Sequence, residues 1–400
     1  MKKLLVLTAV FFLVSIKGFC QEKQYVVVLS MDGFRWDYDQ LVGTPNLDKI
    51  AKKGVKSKGL QPVFPTGTFP SHYSMATGLY PDEHGLVANR FFDKALQQEY
   101  SIRNNEAVGN PRFYGGEPIW NTARRQGLVT ASYFWVGTEA PIGGLHPNIW
   151  KSFDNNVTFT QRIDSVISWL KRPEKDRPQL IMLYFEEPDY TAHGNDPVRS
   201  GETHRMVKYC DSLVGILDQK LQALPIAKNI SLVVVSDHGM TPVDANRTVF
   251  LENYLKESWI QNSSWGSPMC LMDIYPEKLD SALMMLRYAP NVKAWRPENL
   301  PKRFNYGHNP NIGNLVILAD SAWSLAKTPP GSRKRGDHGF DNQNRDMYGI
   351  FYAYGPKFEK NKVVPEFMNL QLYNIIAHLL NIRPAQTDAK LEDVNFLFNK

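Results

Sequence analysis

YVVVLSMDGFR, residues 25–35, runs a stretch of β-branched and apolar side chains straight into Asp32 and Gly33. An unbroken apolar run of this length reads as a strand covered on both faces. Five similar runs follow: LVTASYF (128–134), LIMLYF (180–185), ISLVVVS (230–236), LVIL (315–318) and MYGIFYAYG (347–355). Helix-period patterns fall between several of them, at 119–125, 160–170, 203–221 and 367–380. Strands alternating with helices predict an α/β fold with a doubly wound, mostly parallel sheet flanked by helices.

The chain has 400 residues, 43% of them apolar, more than one ordinary core requires. The expected organisation is one large domain over 21–400 carrying a small inserted α+β subdomain at about 241–337. That stretch holds PEKLDSALMMLRYAP, a helical pattern, and FNYGHNPNIGNLVIL, a loop leading into a strand. Net charge is +6, but the cations are scattered and no block of five occurs, so nucleic acid as a scaffold partner is not expected. The densest basic spot, at 332–339, reads as a solvated loop. Two lysines precede an apolar run at 4–16, too short to span a bilayer and suited to an export signal over 1–20. The mature chain is then expected in a periplasm or outside the cell, with no stable membrane span. Cleavage after Cys20 is favoured over lipidation, because Phe19 is bulky. Cys210 and Cys270 remain, and spacing does not say whether they pair.

Ligands of such sheets gather beyond the carboxyl ends of the strands. There the sequence places Asp32, then EEPDYTAHG with Asp189 and His193, then DHGM with Asp237 and His238. GDHGFDN, with His338, precedes the last long run. Carboxylate and imidazole together are the donors of a hydrolytic zinc site. Asp189 and His193 are four apart and share a face if their segment is helical. Adjacent Asp237 and His238 point different ways, which suits either two ions or a bridging arrangement.

FPTGTFPSHYSMATG (64–78) supplies a hydroxyl at a corner. Thr68 precedes Phe69-Pro70, where a helix would start, so free N–H groups favour an anion beside it. Thr66 reads as a turn residue, with Gly67 allowing the bend.

MDGFR, FPTGTFPSHYSMATGLYPDEHG, GGEPIW, YFEEPDYTAHG, VVSDHGM and GDHGFDN occur in this order and resemble the nucleotide pyrophosphatase/phosphodiesterase family of the alkaline phosphatase superfamily, in its compact bacterial type. The resemblance implies two Zn²⁺ ions and a threonine nucleophile. One zinc would take Asp189, His193 and His338; the other would take Asp32, Asp237, His238 and the hydroxyl of Thr68. It further implies that Asn89 donates to a phosphate oxygen and that Phe69, Tyr184 and Phe153 line a nucleobase pocket. SYFWVGTE (132–139) departs from the family's WPGS-like run at Val136 and Thr138, which leaves the preferred leaving group open. The expected reaction is hydrolysis of nucleotide phosphodiesters or pyrophosphates to nucleoside monophosphates through a threonine-phosphate. The same ligands would also serve an esterase of choline or phospholipid head groups, or of monoesters. A metal-stabilised binding protein is the reading outside catalysis.

Overall fold

The computed structural model describes residues 22–331 and 333–399; the expected export signal lies outside them. The strands introduced here are β1 (Tyr25–Met31), β2 (Val55–Ser57), β3 (Thr130–Tyr133), β4 (Leu180–Phe185), β5 (Ile230–Val235), β6 (Ile260–Ser264), β7 (Met269–Ile274), β8 (Val292–Trp295), β9 (Leu315–Ala319), β10 (Phe351–Tyr354) and β11 (Lys362–Val364). A seven-stranded sheet has the order β11-β2-β10-β5-β1-β4-β3. Its pairs are parallel except those of β10, which runs antiparallel to both β5 and β2.

Every residue of β1 is buried, as its apolar run predicts. Alternate side chains serve different layers, the period-two consequence of the pleat. Val26 and Val28 join one core with helices α2 (Thr68–Thr77), α3 (Ile119–Arg125) and α8 (Leu372–Leu380). Val27 and Leu29 join the other with α1 (Pro45–Lys53), α4 (Phe159–Leu170) and α6 (Gly201–Gln222). Helices therefore cover both faces, the doubly wound arrangement.

Register does the positioning. Met31 of β1 pairs with Phe185 of β4, and Ser30 with Val235 of β5. Three parallel strands thus end level, and the loops bearing Asp32, Asp189 and Asp237 emerge side by side.

LVIL, in the stretch read as an insertion, lies in a second, antiparallel sheet of order β6-β7-β9-β8, backed by α7 (Leu279–Leu286). The structure corrects two readings. The last helix starts at Leu372. The apolar start of its pattern, Phe367–Met368, pairs as a strand with Leu60–Gln61, a partner that helix-period arithmetic cannot see. The run at 347–355 yields only four strand residues, because Arg345–Met347 forms a 3-10 turn. Cys210 and Cys270 are free, buried thiols in separate cores.

Candidate metal centre

Asp32 follows β1 directly, and the next residue must be glycine. Gly33 has φ +64°, and a Cβ there would lie 2.8 Å from the Cβ of Asp189. This close approach brings the Asp32 and Asp189 loops together, and the Asp189 N–H donates to the Asp32 carbonyl at 3.1 Å. Arg35 ties the same loop to the next one, donating to the Met240 carbonyl and to Asp346.

Two donor sets result. Asp189, His193 and His338 form one, and Asp32, Asp237 and His238 the other; within each, the ligand atoms lie within 4.8 Å of one another. Asp189 and His193 share α5 (Asp189–Gly194), as their spacing predicts, with Nε2 of His193 3.3 Å from Asp189 Oδ2. The sets adjoin: the rings of His238 and His338 stack with centroids 3.7 Å apart.

Each imidazole is fixed from behind. Nδ1 of His193 donates to the Gly336 carbonyl at 2.9 Å, that of His238 to the Gly239 carbonyl at 2.7 Å, and that of His338 to the Thr66 carbonyl at 3.0 Å. All three Nε2 atoms thereby face carboxylates, the orientation that ligating histidines need. Nε2 of His238 lies 3.1 Å from Asp237 Oδ2 and 3.4 Å from Asp32 Oδ1, and Nε2 of His338 lies 3.6 Å from Asp189 Oδ1.

Oδ1 of Asp32, Oδ1 of Asp189 and Oδ2 of Asp237 are buried and accept no hydrogen bond among the described residues. Burying such atoms without a partner is unfavourable. A divalent cation in each set supplies what they lack, so the residues fit two metals.

The titration behaviour matches a cluster short of positive charge. Burial first, then the charges of Asp237 and Asp189, pushes the Asp32 carboxyl well above the usual range. Burial also opposes the charge on Asp189 and Asp237, yet His193 for one, and His238 with His72 for the other, hold them low. His193 and His238 are raised against burial by those same carboxylates. His338 is driven well down by burial and by His238.

Thr68 is the first residue of α2, after Gly67 as N-cap. Its Oγ1 lies 3.2 Å from Nε2 of His238. Asn89 lies against this corner. Its Oδ1 accepts the Phe69 N–H at 2.9 Å, and its amide sits under Gly67. The N–H of Thr68 and the Nδ2 of Asn89 have no hydrogen-bond partner among the described residues. Thr66 stands differently. Its hydroxyl donates to the Phe340 carbonyl at 2.9 Å and accepts from the Gly339 N–H at 3.0 Å, using up both functions.

The three aromatic residues have different ring neighbours. Phe153, 45% exposed, has its ring 6.5 Å from that of Tyr184, whereas the ring neighbour of Phe69 is Tyr100 at 6.4 Å. Tyr184 also has a task its sequence context does not show: its hydroxyl donates to Asp32 Oδ2 at 2.6 Å. His72 is closely engaged with the site. It lies four residues beyond Thr68, donates from Nδ1 to the Thr68 carbonyl at 2.9 Å, accepts from Ser30, and sits 3.2 Å from Asp237 Oδ2. The i, i+4 spacing from the corner threonine was the available signal. Arg90 points away from Asn89, exposed and paired with Glu99 at 2.7 Å.

A family model described as type I phosphodiesterase / nucleotide pyrophosphatase matches residues 26–341. The chain belongs to that family. Within this nucleotide pyrophosphatase family it is 34% identical over 389 residues to the venom phosphodiesterase CdcPDE of Crotalus durissus collilineatus, covering 94% of this chain and 46% of the relative. It is likewise 34% identical to human ectonucleotide pyrophosphatase/phosphodiesterase family member 1, covering 93% and 41%. The chain spans less than half the length of these curated relatives. The solved structure of murine ectonucleotide pyrophosphatase/phosphodiesterase 5, an inactive variant in complex with AMP, superposes with a TM-score of 0.90 at 32% identity. That match covers 94% of this chain and all of the murine one, and it shows the alkaline-phosphatase-like sheet described above as the family fold.

Proposed function

We propose that this chain is a zinc-dependent hydrolase of phosphodiester and pyrophosphate bonds in nucleotides and their derivatives. Thr68 is its nucleophile, and nucleoside monophosphate is the product. The observation that carries the reading is the position of Thr68 Oγ1, at a helix start and 3.2 Å from a histidine of one of two adjoining Asp/His sets. Family membership and the AMP bound by the murine relative support the substrate class.

The donor sets suit two zinc ions, which when bound lower the pKa of a nearby hydroxyl and offset charge on the reacting phosphate. The chain's own residues do the rest. Thr68 Oγ gives its proton to solvent and attacks phosphorus, the leaving group departs with the bonding pair and takes up a proton from water as needed, and a threonine-phosphate ester forms; water then cleaves that ester, returning the hydroxyl and releasing the nucleoside monophosphate. On this reading the Thr68 N–H and Asn89 Nδ2 donate to phosphate oxygens. On this reading Phe69, Tyr184 and Phe153 are the rings against which a base stacks. The lysine-led apolar run at the N-terminus supports export.

The purified chain, assayed against nucleotide diesters, dinucleotide polyphosphates, choline esters and monoesters side by side, should turn over the first two. For p-nitrophenyl nucleotide diester against p-nitrophenyl phosphate, kcat/KM should favour the diester by at least about tenfold, because a dianionic monoester calls for a charge-assisted cationic fork. Arg90, the cation beside Asn89, is turned outward to Glu99. A ratio near one, or choline esters as the preferred substrate, would overturn the reading.

Phe153 and Tyr184 should separate kinetically. Phe153→Ala should raise KM for a nucleotide ester by about tenfold while leaving a small aryl diester unaffected, since a stacked base is worth roughly 1–3 kcal/mol. Tyr184→Phe keeps the ring but removes the hydroxyl bonded to Asp32, so it should lower kcat on both substrates and leave the difference in KM intact. Equal KM changes on both substrates for Phe153→Ala would show a packing role instead.

A further inference from the structure

Resting on the two-metal reading above, we infer that Thr66 is a positioning residue that sets His338 as a metal ligand and links that ligand to the nucleophile loop. Thr66 is fully buried, and every polar atom it offers beyond its N–H is used on three consecutive residues. Its carbonyl takes the Nδ1–H of His338 at 3.0 Å. Its hydroxyl accepts from Gly339 N–H at 3.0 Å and donates to the Phe340 carbonyl at 2.9 Å.

The geometry explains why one residue holds this stretch. Gly339 has φ +106°, and a Cβ there would meet Pro268 at 2.8 Å, so the backbone turns sharply just after the ligand. Such a turn leaves an N–H and a carbonyl facing inward with no ladder to join. The Thr66 hydroxyl satisfies both, and the Thr66 carbonyl fixes the His338 tautomer with Nε2 directed at Asp189. Two residues later the same loop delivers Thr68 Oγ1 to His238, whose ring stacks on that of His338. The contacts bear on the Asp189/His193/His338 set alone. The other set is held by different groups: His238 by the Gly239 carbonyl, Asp32 by Tyr184, and Asp237 by the Gly33 N–H at 3.2 Å.

This makes the effect selective. Thr66→Val keeps the shape and removes the hydroxyl, whereas Thr66→Ser keeps the hydroxyl. Outer residues that orient a ligand change metal affinity by about 10–100-fold. Zinc is titrated into the metal-free full chain in competition with a chromophoric chelator, with folding followed by circular dichroism. The expected result is two sites in the unaltered chain. Thr66→Val should weaken one of them by at least about tenfold and leave the other unchanged, and Thr66→Ser should restore both to within a few-fold. Should the valine variant not fold, Thr66→Ala, with less bulk beside Phe340, reads the same quantity. Equal weakening of both sites would show general damage and overturn the inference, as would two unchanged sites. An unaltered chain that binds no zinc would instead overturn the proposed function, so the two failures are distinct.

Discussion

Thr68→Ala should abolish turnover of a nucleotide diester, by at least about a thousandfold, while fold and zinc content stay as they are. The fold should survive because the side chain is not a cap: Gly67 holds the N-cap position of α2, and Thr68 comes directly after it. Alanine is well tolerated at a first helical position. Among the described residues, the hydroxyl's hydrogen-bond partner is Nε2 of His238, whose orientation rests on Nδ1 and the Gly239 carbonyl. The loss should therefore fall on kcat, with nucleotide binding retained through the aromatic rings and Asn89. Thr68→Ser should keep measurable activity, since it keeps the attacking oxygen, and only the serine and threonine forms should yield a phosphorylated side chain on acid quenching during turnover. Thr68→Ala within about tenfold of the unaltered protein would remove Thr68 from the nucleophile's role.

Which of two neighbouring threonines attacks is a question that shows what sequence can and cannot reach. The position before Phe69-Pro70 marks Thr68 as the helix start, because proline favours the first turn. Thr66, in contrast, reads locally as a turn residue whose loss should matter little. Its contacts to His338, Gly339 and Phe340 join residues more than 270 positions away, and no local pattern carries such information.

The same division runs through the molecule. β4 matches its sequence run residue for residue, because a strand buried on both faces leaves an unbroken apolar signature. Asp32, Asp189 and Asp237 are legible as a group because parallel strands in register end together, so the loops leaving those strands share one edge. The short strands β2 and β11, at one margin of the sheet, carry no such signature. Lys56 stands in the middle of β2 and Lys362 opens β11, and the pairing of β2 with β11 on one side and β10 on the other is decided by tertiary contacts. Tyr184 shows the limit within the site. Its ring closes a core strand and suggests stacking, whereas its hydroxyl reaches a carboxylate at the end of the neighbouring strand.

Stripping metal should have the other large effect: chelation should remove all measurable diesterase activity, and zinc should restore it. Among the described residues, three carboxylates, Asp32, Asp189 and Asp237, each carry a buried oxygen with no hydrogen-bond donor, and Asp189 and Asp237 favour protons on the imidazoles of His193 and His238 beside them. Protons and metal therefore compete for the same atoms. His193 and His238 are raised above the ordinary imidazole range by Asp189 and Asp237, and Asp32 is raised by burial and by its carboxylate neighbours. Raised ligand pKa values mean that acid favours the protonated, metal-free form, so zinc affinity should fall as pH drops through the raised imidazole range. Zinc uptake near neutrality should release protons, measurable as a calorimetric enthalpy that varies with the buffer's ionisation enthalpy. Zinc at a thousand times its dissociation constant should stabilise the fold by about 4 kcal/mol per site, seen as a higher melting temperature. His193→Ala disturbs only the Asp189/His193/His338 set, so it should lose one equivalent of zinc before the second is affected. Full activity in chelated protein holding well under one metal per chain would show that the two Asp/His sets are not the catalytic centre. Binding without any proton release would show that the histidines are neutral in the metal-free chain, against the pairing seen at Asp189 and Asp237.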